Sequence, residues 1–257
     1  MSGSLRISTV DAAVRNLEII QGWDATIEVK YLRDFIKGTF LNRVNRFLVE
    51  VQVEGRVQKA FLPNSGRLQG VLIPGRTVLL KPQNSVSRKT VLDLWGVFDG
   101  RIWILVDSRM ANRLLPWTIS KGTIPYLRDL SDLKPEVKRG GKRFDFFAYW
   151  RGKDLWIEAK SVTLVRDGLA LFPDAPTPRG RDHLKALRGL SSKGSAALVT
   201  FMVLREDASA FAPNREIDPG FAEALTEAVE GGVMVEALCF TVGEGTVLDA
   251  KRIPVIL

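Results

Sequence analysis

The chain has 257 residues, 46% of them hydrophobic, and a formal net charge of +8 from 37 Lys and Arg against 29 Asp and Glu. That length holds one large domain or two modest ones with real cores, and the basic excess points to an anionic partner, nucleic acid first. The single cysteine, Cys239, excludes a disulfide framework and a cysteine zinc site. No apolar run reaches the ~18 residues of a membrane span and no signal-peptide pattern opens the chain, so a cytoplasmic protein away from the membrane is expected.

Residues 1–35 are mixed in charge and form an N-terminal extension of unclear structure, in which Thr9 or Asp11 caps a short helix through Ile20. From Arg46 the pattern sharpens. Phe47, Val49, Val51 and Val53 alternate with Leu48, Glu50, Gln52 and Glu54, the period of a half-buried strand. Glu54-Gly55 turns the chain into Val57–Leu62, Pro63-Asn64-Ser65-Gly66 is a loop, and Pro74-Gly75 precedes a strand at 77–80. Asp99-Gly100 joins strands at 90–98 and 101–106 as a hairpin. These short strands predict an OB-like β-barrel over residues 36–108, a fold that often binds nucleic acid. Trp95, Phe98 and Trp103 read as barrel core rather than base-stacking platforms.

Asp107 or Ser108 caps a helix through Arg113 and Leu114. Residues 116–135 read as a linker, because Pro116, Gly122, Pro125 and Pro135 interrupt them. Thereafter element types alternate. Strands at 144–149 and 155–162 are followed by a helix begun by Thr177-Pro178 and stopped at Gly194. A buried strand at 196–204, a helix from Asp218-Pro219 through Glu230, and strands at 233–242 and 246–257 complete an α/β domain over residues 109–257.

The chemistry concentrates at Asp145 and Glu158-Ala159-Lys160. Only Arg151-Gly152-Lys153-Asp154 separates their two apolar runs, which is turn chemistry for a hairpin. Residues two apart in a strand share a face, so Glu158 and Lys160 point the same way, and strand pairing brings Asp145 near Glu158. Two carboxylates are hard oxygen ligands for Mg²⁺ or Mn²⁺. The lysine can orient a water or stabilise charge on a phosphate. This acid, then acid-x-lysine, order is that of the PD-(D/E)xK nuclease fold. Glu136 lies upstream, where that fold often carries a further acid on the preceding helix. The candidate catalytic set is therefore Glu136, Asp145, Glu158 and Lys160, with Asp145 and Glu158 as metal ligands.

The positive charge gathers around these acids. Residues 134–153 carry seven basic side chains, among them Lys138, Arg139, Lys142 and Arg143, against Glu136 and Asp145. The helix after Thr177 adds Arg179, Arg181, Lys185, Arg188 and Lys193. In the first domain, Arg67 with Arg43 and Arg46 can reach phosphate around the Pro63–Gly66 loop. Arg109 and Arg113, four apart, share a helical face near the domain junction. Lys138, Arg143 and Arg179 complete the candidate nucleic-acid contacts. His183, the only histidine, is either structural or placed near a phosphate at the helix start, with Asp174 close by.

The same segments resemble the sugar fermentation stimulation protein (SfsA) family over nearly the whole chain. The resemblance rests on residues 43–47 (RVNRF), 63–68 (PNSGRL), 111–114 (ANRL), 136–138 (EVK), 143–146 (RFDF) and 157–164 (IEAKSVTL). It continues through 172–177 (FPDAPT), Arg179-Gly180, His183-Leu184 and Ile217-Asp218-Pro219. The family loop usually reads His-x-Pro-Asn-Thr-Gly; here Phe61 and Ser65 replace the histidine and threonine, and Ala159 stands where valine is usual. The resemblance implies an N-terminal OB-like domain, a C-terminal nuclease-like domain, DNA binding and a regulatory role in sugar metabolism.

Three functions compete. The first is a DNA-binding protein of weak sequence selectivity, because no helix-turn-helix is evident; the charge alone does not separate DNA from RNA. The second is an active Mg²⁺- or Mn²⁺-dependent nuclease. The third, a small-ligand regulator, lacks any sugar-binding or phosphate-loop motif.

Overall fold

The computed structural model describes residues 35–83 and 90–257; the helix expected between Thr9 and Ile20 lies outside them. Six strands build the first domain: Ile36–Asn45 (β1), Leu48–Val53 (β2), Arg56–Phe61 (β3), Thr77–Pro82 (β4), Leu92–Phe98 (β5) and Trp103–Leu105 (β6). Their order is β3-β2-β1-β4-β5-β6, and β3 also pairs with β5, so the first five strands close into an OB-type barrel. The interior is mainly aliphatic: Val49, Val51, Val53, Val78, Leu80, Leu94, Val97 and Ile104 fill it around the single ring of Phe40.

Two expectations change here. Phe47 does not continue the inward series of Val49, Val51 and Val53. It lies in the turn between β1 and β2 and is 43% exposed. Trp95 is buried but not inside the barrel. With Leu79 and Leu105 it packs outward against Leu114, Leu115 and other side chains of the second domain, and Trp103 packs partly buried against the same cluster. The tryptophans thus serve the junction between the domains rather than the barrel interior.

Helix α1, Met110–Ser120, follows, then a single 3₁₀ turn at Pro125–Leu127. The region read as a linker is thus mostly ordered structure. Pro116 lies inside α1, where it removes the N–H that would have bonded the Asn112 carbonyl. Seven of the nine later strands are Leu130–Arg139 (β7), Lys142–Trp150 (β8), Lys153–Val162 (β9), Leu164–Arg166 (β10), Leu169–Phe172 (β11), Ala196–Val203 (β12) and Ala210–Pro213 (β13). Met234–Gly243 (β14) and Thr246–Ile253 (β15) complete them. The main sheet runs β15-β14-β12-β9-β8-β7, with β9, β12 and β14 parallel and the outer pairs antiparallel. A small sheet, β10-β11-β13, lies beside it. Pro135 sits in β7, an edge strand of the main sheet, which is where a strand tolerates proline.

Two helices cover one face: Pro178–Ser191 (α2) and Pro219–Glu230 (α3). Each starts as its sequence dictates, with a capping oxygen and then proline. Thr177 Oγ1 accepts from the Gly180 N–H at 3.1 Å, and Asp218 Oδ1 from Phe221 N–H at 2.9 Å. The buried Asp218 also accepts from Thr177 N–H at 2.7 Å and Arg181 at 3.1 Å, stitching the two helix starts together. The opposite face packs against α1 and the barrel. Among the described residues no helix is long and apolar enough to cross a membrane.

Candidate metal and nucleic-acid site

The β8–β9 hairpin turns at Arg151-Gly152, both with positive φ (50° and 73°), the geometry of a two-residue type I′ turn. This turn sets the register. The ladder runs from Trp150 opposite Lys153 to Phe146 opposite Ile157, which leaves Asp145 across from Glu158 one step further on. Along β9, Trp156 and Val162 pack on the α2 side while Leu155, Ile157 and Ala159 pack on the other. Alternation therefore puts Glu158 and Lys160 on the α2 side.

Glu158 is 3% exposed, in a strand paired on both sides. Lys160 Nζ and His183 Nδ1 both meet its Oε1 at 2.5 Å. A carboxylate only accepts, so the His183 Nδ1 carries the proton in that bond. Burial alone would push the Glu158 carboxyl up, but His183 and Lys160 outweigh it and hold the pKa below its ordinary value. The other oxygen, Oε2, is buried with no hydrogen-bond partner.

Asp145 is held from two directions. Asn112 Nδ2, from α1, donates to Oδ1 at 2.8 Å, and the Ala159 N–H donates to Oδ2 at 2.9 Å. Its carboxyl is nonetheless pushed above the usual carboxylate range, first by burial and then by the charge of Glu158. A buried carboxylate with a bare oxygen, beside a half-buried one that it repels, fits a divalent cation. Among the described residues no group of three or more His, Cys, Asp or Glu is placed to hold a metal ion, so these two carboxylates stand without a third such ligand.

Glu136 lies elsewhere than expected. It is on β7 rather than a helix, between the ladder pairs Pro135–Phe146 and Val137–Phe144, and so across from Asp145. Its φ of 55° twists the strand locally. The carboxylate is 66% exposed and lies 3.8 Å from Arg143.

The candidate phosphate contacts divide into two groups. Arg46, Arg67, Arg113, Lys138, Arg143 and Arg179 are exposed. Arg43 and Arg109 instead hold the protein together. Arg43 donates to the carbonyls of Arg46 at 2.8 Å, Gly66 at 2.8 Å and Arg67 at 2.9 Å. Arg109 binds Asp107 and Asp93, and those bonds raise its pKa, Asp107 first. Asp174 touches the barrel: it accepts from the Leu68 N–H at 3.1 Å, and a Cβ on Gly66 would lie 2.5 Å from its Oδ2. A side chain at position 66 would have to push the Asp174 carboxylate off this contact between the domains.

Sequence reasoning missed Asn112 and left His183 open between two roles. The structure puts the histidine, 5% exposed, directly on Glu158. For both residues the only signal was membership of a family-matching stretch.

Comparison with known proteins accounts for most of the chain. A family model described as the SfsA N-terminal OB domain matches residues 41–106. One described as the sugar fermentation stimulation protein RE domain matches residues 109–246. A sugar fermentation stimulation protein homolog of Natranaerobius thermophilus is 40% identical over 231 residues, 88% of this chain and 95% of its own. That of Desulforamulus reducens is 39% identical over 226 residues, 88% of this chain and 94% of its own. Pyrococcus furiosus SfsA, solved in complex with Ca²⁺, superposes with a TM-score of 0.83 at 30% identity, over 89% of this chain and 99% of that one. Barrel, α/β domain and sequence agree along their length: the chain belongs to the sugar fermentation stimulation protein family.

Proposed function

We propose that this protein binds DNA mainly through the sugar–phosphate backbone and holds a divalent cation, Mg²⁺ or Mn²⁺, at Asp145 and Glu158 in a PD-(D/E)xK nuclease-like site. The observation that carries this reading is the bare, buried Oε2 of Glu158 beside an Asp145 whose carboxyl is driven up by burial and by Glu158. A cation there would relieve both costs. The Ca²⁺ complex of the Pyrococcus furiosus relative supports a divalent ion. Any regulation of sugar metabolism would act through the bound DNA.

When bound, such an ion supplies Lewis acidity at a phosphoryl oxygen and an acidified water. The protein's own residues do the rest. Asp145 and Glu158 would hold the ion; Asn112 fixes Asp145, and His183 with Lys160 fixes one Glu158 oxygen and leaves the other without a partner. The position of Lys160 favours a second reading, hydrolysis of the phosphodiester, because its ammonium can stabilise charge on the attacked phosphate.

The six exposed basic residues set a salt test. If all six contact phosphates on duplex DNA, log affinity falls against log salt with a slope of about −5. Binding that ignores salt would overturn the reading. Cleavage is tested on labelled single-stranded, duplex and branched DNA with Mg²⁺, Mn²⁺ or EDTA. Metal-dependent products establish the nuclease; binding without products leaves a DNA-binding module.

His183 acts through Glu158. His183→Ala is expected to weaken Mn²⁺ binding about 10- to 100-fold, the usual loss when a ligand's hydrogen-bonded support is removed. His183→Asn, whose amide can donate to Oε1, should recover part of it. Titration of Mn²⁺ by calorimetry reads both. Wild-type affinity in His183→Ala would show that the histidine only fills space.

A further inference from the structure

The tip of the first barrel hairpin carries an aromatic side chain that the fold leaves open. Phe47, in the turn between β1 and β2, is 43% exposed, where a turn is ordinarily polar. Its ring lies beside Phe61 of β3, centroids 6.2 Å apart and planes within 26°, so the two rings form one shelf. The Arg46 guanidinium sits over the Phe47 ring, 5.3 Å from its centroid.

The shelf is held in place and rimmed with positive charge. Arg43 ties the turn, through the Arg46 carbonyl, to the Gly66 and Arg67 carbonyls of the next loop. Arg67 on that loop is exposed. The same loop abuts Asp174, three residues before Thr177 caps α2, and α2 delivers His183 to Glu158. The loop, the segment from Asp174 to Thr177 and α2 thus join the shelf to the acidic site.

We propose that Phe47, with Phe61 beside it and Arg46 over it, is a stacking platform for an unpaired nucleobase, so that the barrel takes single-stranded nucleic acid. The proposal rests on the nucleic-acid reading above and names the strand form it prefers. A duplex hides its base faces, whereas an unpaired base offers a π-face of any sequence to an aromatic ring and an arginine. In OB barrels the loop joining the first two strands borders the oligonucleotide-binding face, and this turn occupies that place. A base inserts between the Phe47 ring and the Arg46 guanidinium, which swings outward to cover it, and the exposed Arg67 holds a flanking phosphate.

The test is fluorescence anisotropy of a labelled oligothymidylate of about 15 nucleotides and of a duplex of equal length, both in EDTA. Wild type should prefer the single strand. Phe47→Ala should lose about tenfold on oligothymidylate with duplex binding unchanged, and Phe47→Trp should keep the preference. An unchanged melting temperature confirms that the exposed position tolerates both changes. The platform is overturned by wild-type affinity in Phe47→Ala, by equal losses on both nucleic acids, or by a wild type that prefers duplex. In each of those cases the broader nucleic-acid reading survives; a wild type that binds neither nucleic acid ends both.

Discussion

Glu158→Gln is expected to abolish divalent-cation binding and to reduce any cleavage to the metal-free background. Glutamine keeps the shape and an acceptor for Lys160 and His183, but loses the negative charge that makes a carboxylate much the stronger ligand in a site with only two of them. The readout free of catalysis is thermal. With Mn²⁺ at about 100 times its dissociation constant, linkage stabilises the wild type by about 2.7 kcal/mol, roughly 5–10 °C at this chain length. The variant should show no such rise. A full metal-induced rise in Glu158→Gln would remove Glu158 from the ion's coordination and sink the site as drawn.

The same groups predict how cation binding follows pH. Asp145 has a raised pKa in the folded protein, so between the ordinary carboxylate range and that raised value the folded state holds more protons than the unfolded chain. Its contribution to stability therefore declines as pH rises through the window. Glu158 runs the other way. Its pKa is depressed, so its contribution is present above the ordinary range and is lost as pH falls through the depressed value. A cation must displace the Asp145 proton, so Mn²⁺ affinity should rise with pH across the Asp145 window. Asp145→Asn removes a ligand as well as the titrating group, so it should weaken Mn²⁺ binding at every pH and flatten the dependence of whatever binding remains.

Lys160→Met is expected to separate binding from chemistry. The lysine is 14% exposed and bonded to Glu158, not to the bare oxygen. Methionine preserves the stem and removes the ammonium. If the ammonium stabilises charge on the attacked phosphate, cleavage should fall about 10²- to 10³-fold, the loss typical of one such donor. The Mn²⁺-induced thermal rise should persist, because His183 still holds Oε1. Cleavage at the wild-type rate in Lys160→Met would rule out that role. Loss of the thermal rise as well would make Lys160 part of the ion's support.

Local patterns carried much of this protein. Alternation placed Val49, Val51 and Val53 in the barrel core. A capping residue followed by proline marked the starts of α2 and α3. The Arg151-Gly152 turn dictated a hairpin, and the hairpin's register brings Asp145 to Glu158 with Lys160 alongside. All of these depend on neighbours within a few residues or across one tight turn, where backbone geometry leaves few choices.

The remainder depended on contacts between segments far apart in the chain. Glu136 and Asp145 meet the same sheet, yet a left-handed φ and an edge position send Glu136 to solvent. Arg43 and Arg109 look like the exposed arginines, but the Gly66 and Arg67 carbonyls engage the first and Asp93 and Asp107 the second. Trp95 is apolar in any reading; only the docking of α1 turns it outward from the barrel. Asn112 reaches Asp145 across 33 residues of chain and His183 reaches Glu158 across 25. The sequence by itself determined the family, the barrel followed by an α/β domain, and the acidic hairpin. The tertiary structure decided which oxygen of Glu158 stays bare, because that follows from two donors converging on one atom from different elements, and side-chain periodicity contains no such distance.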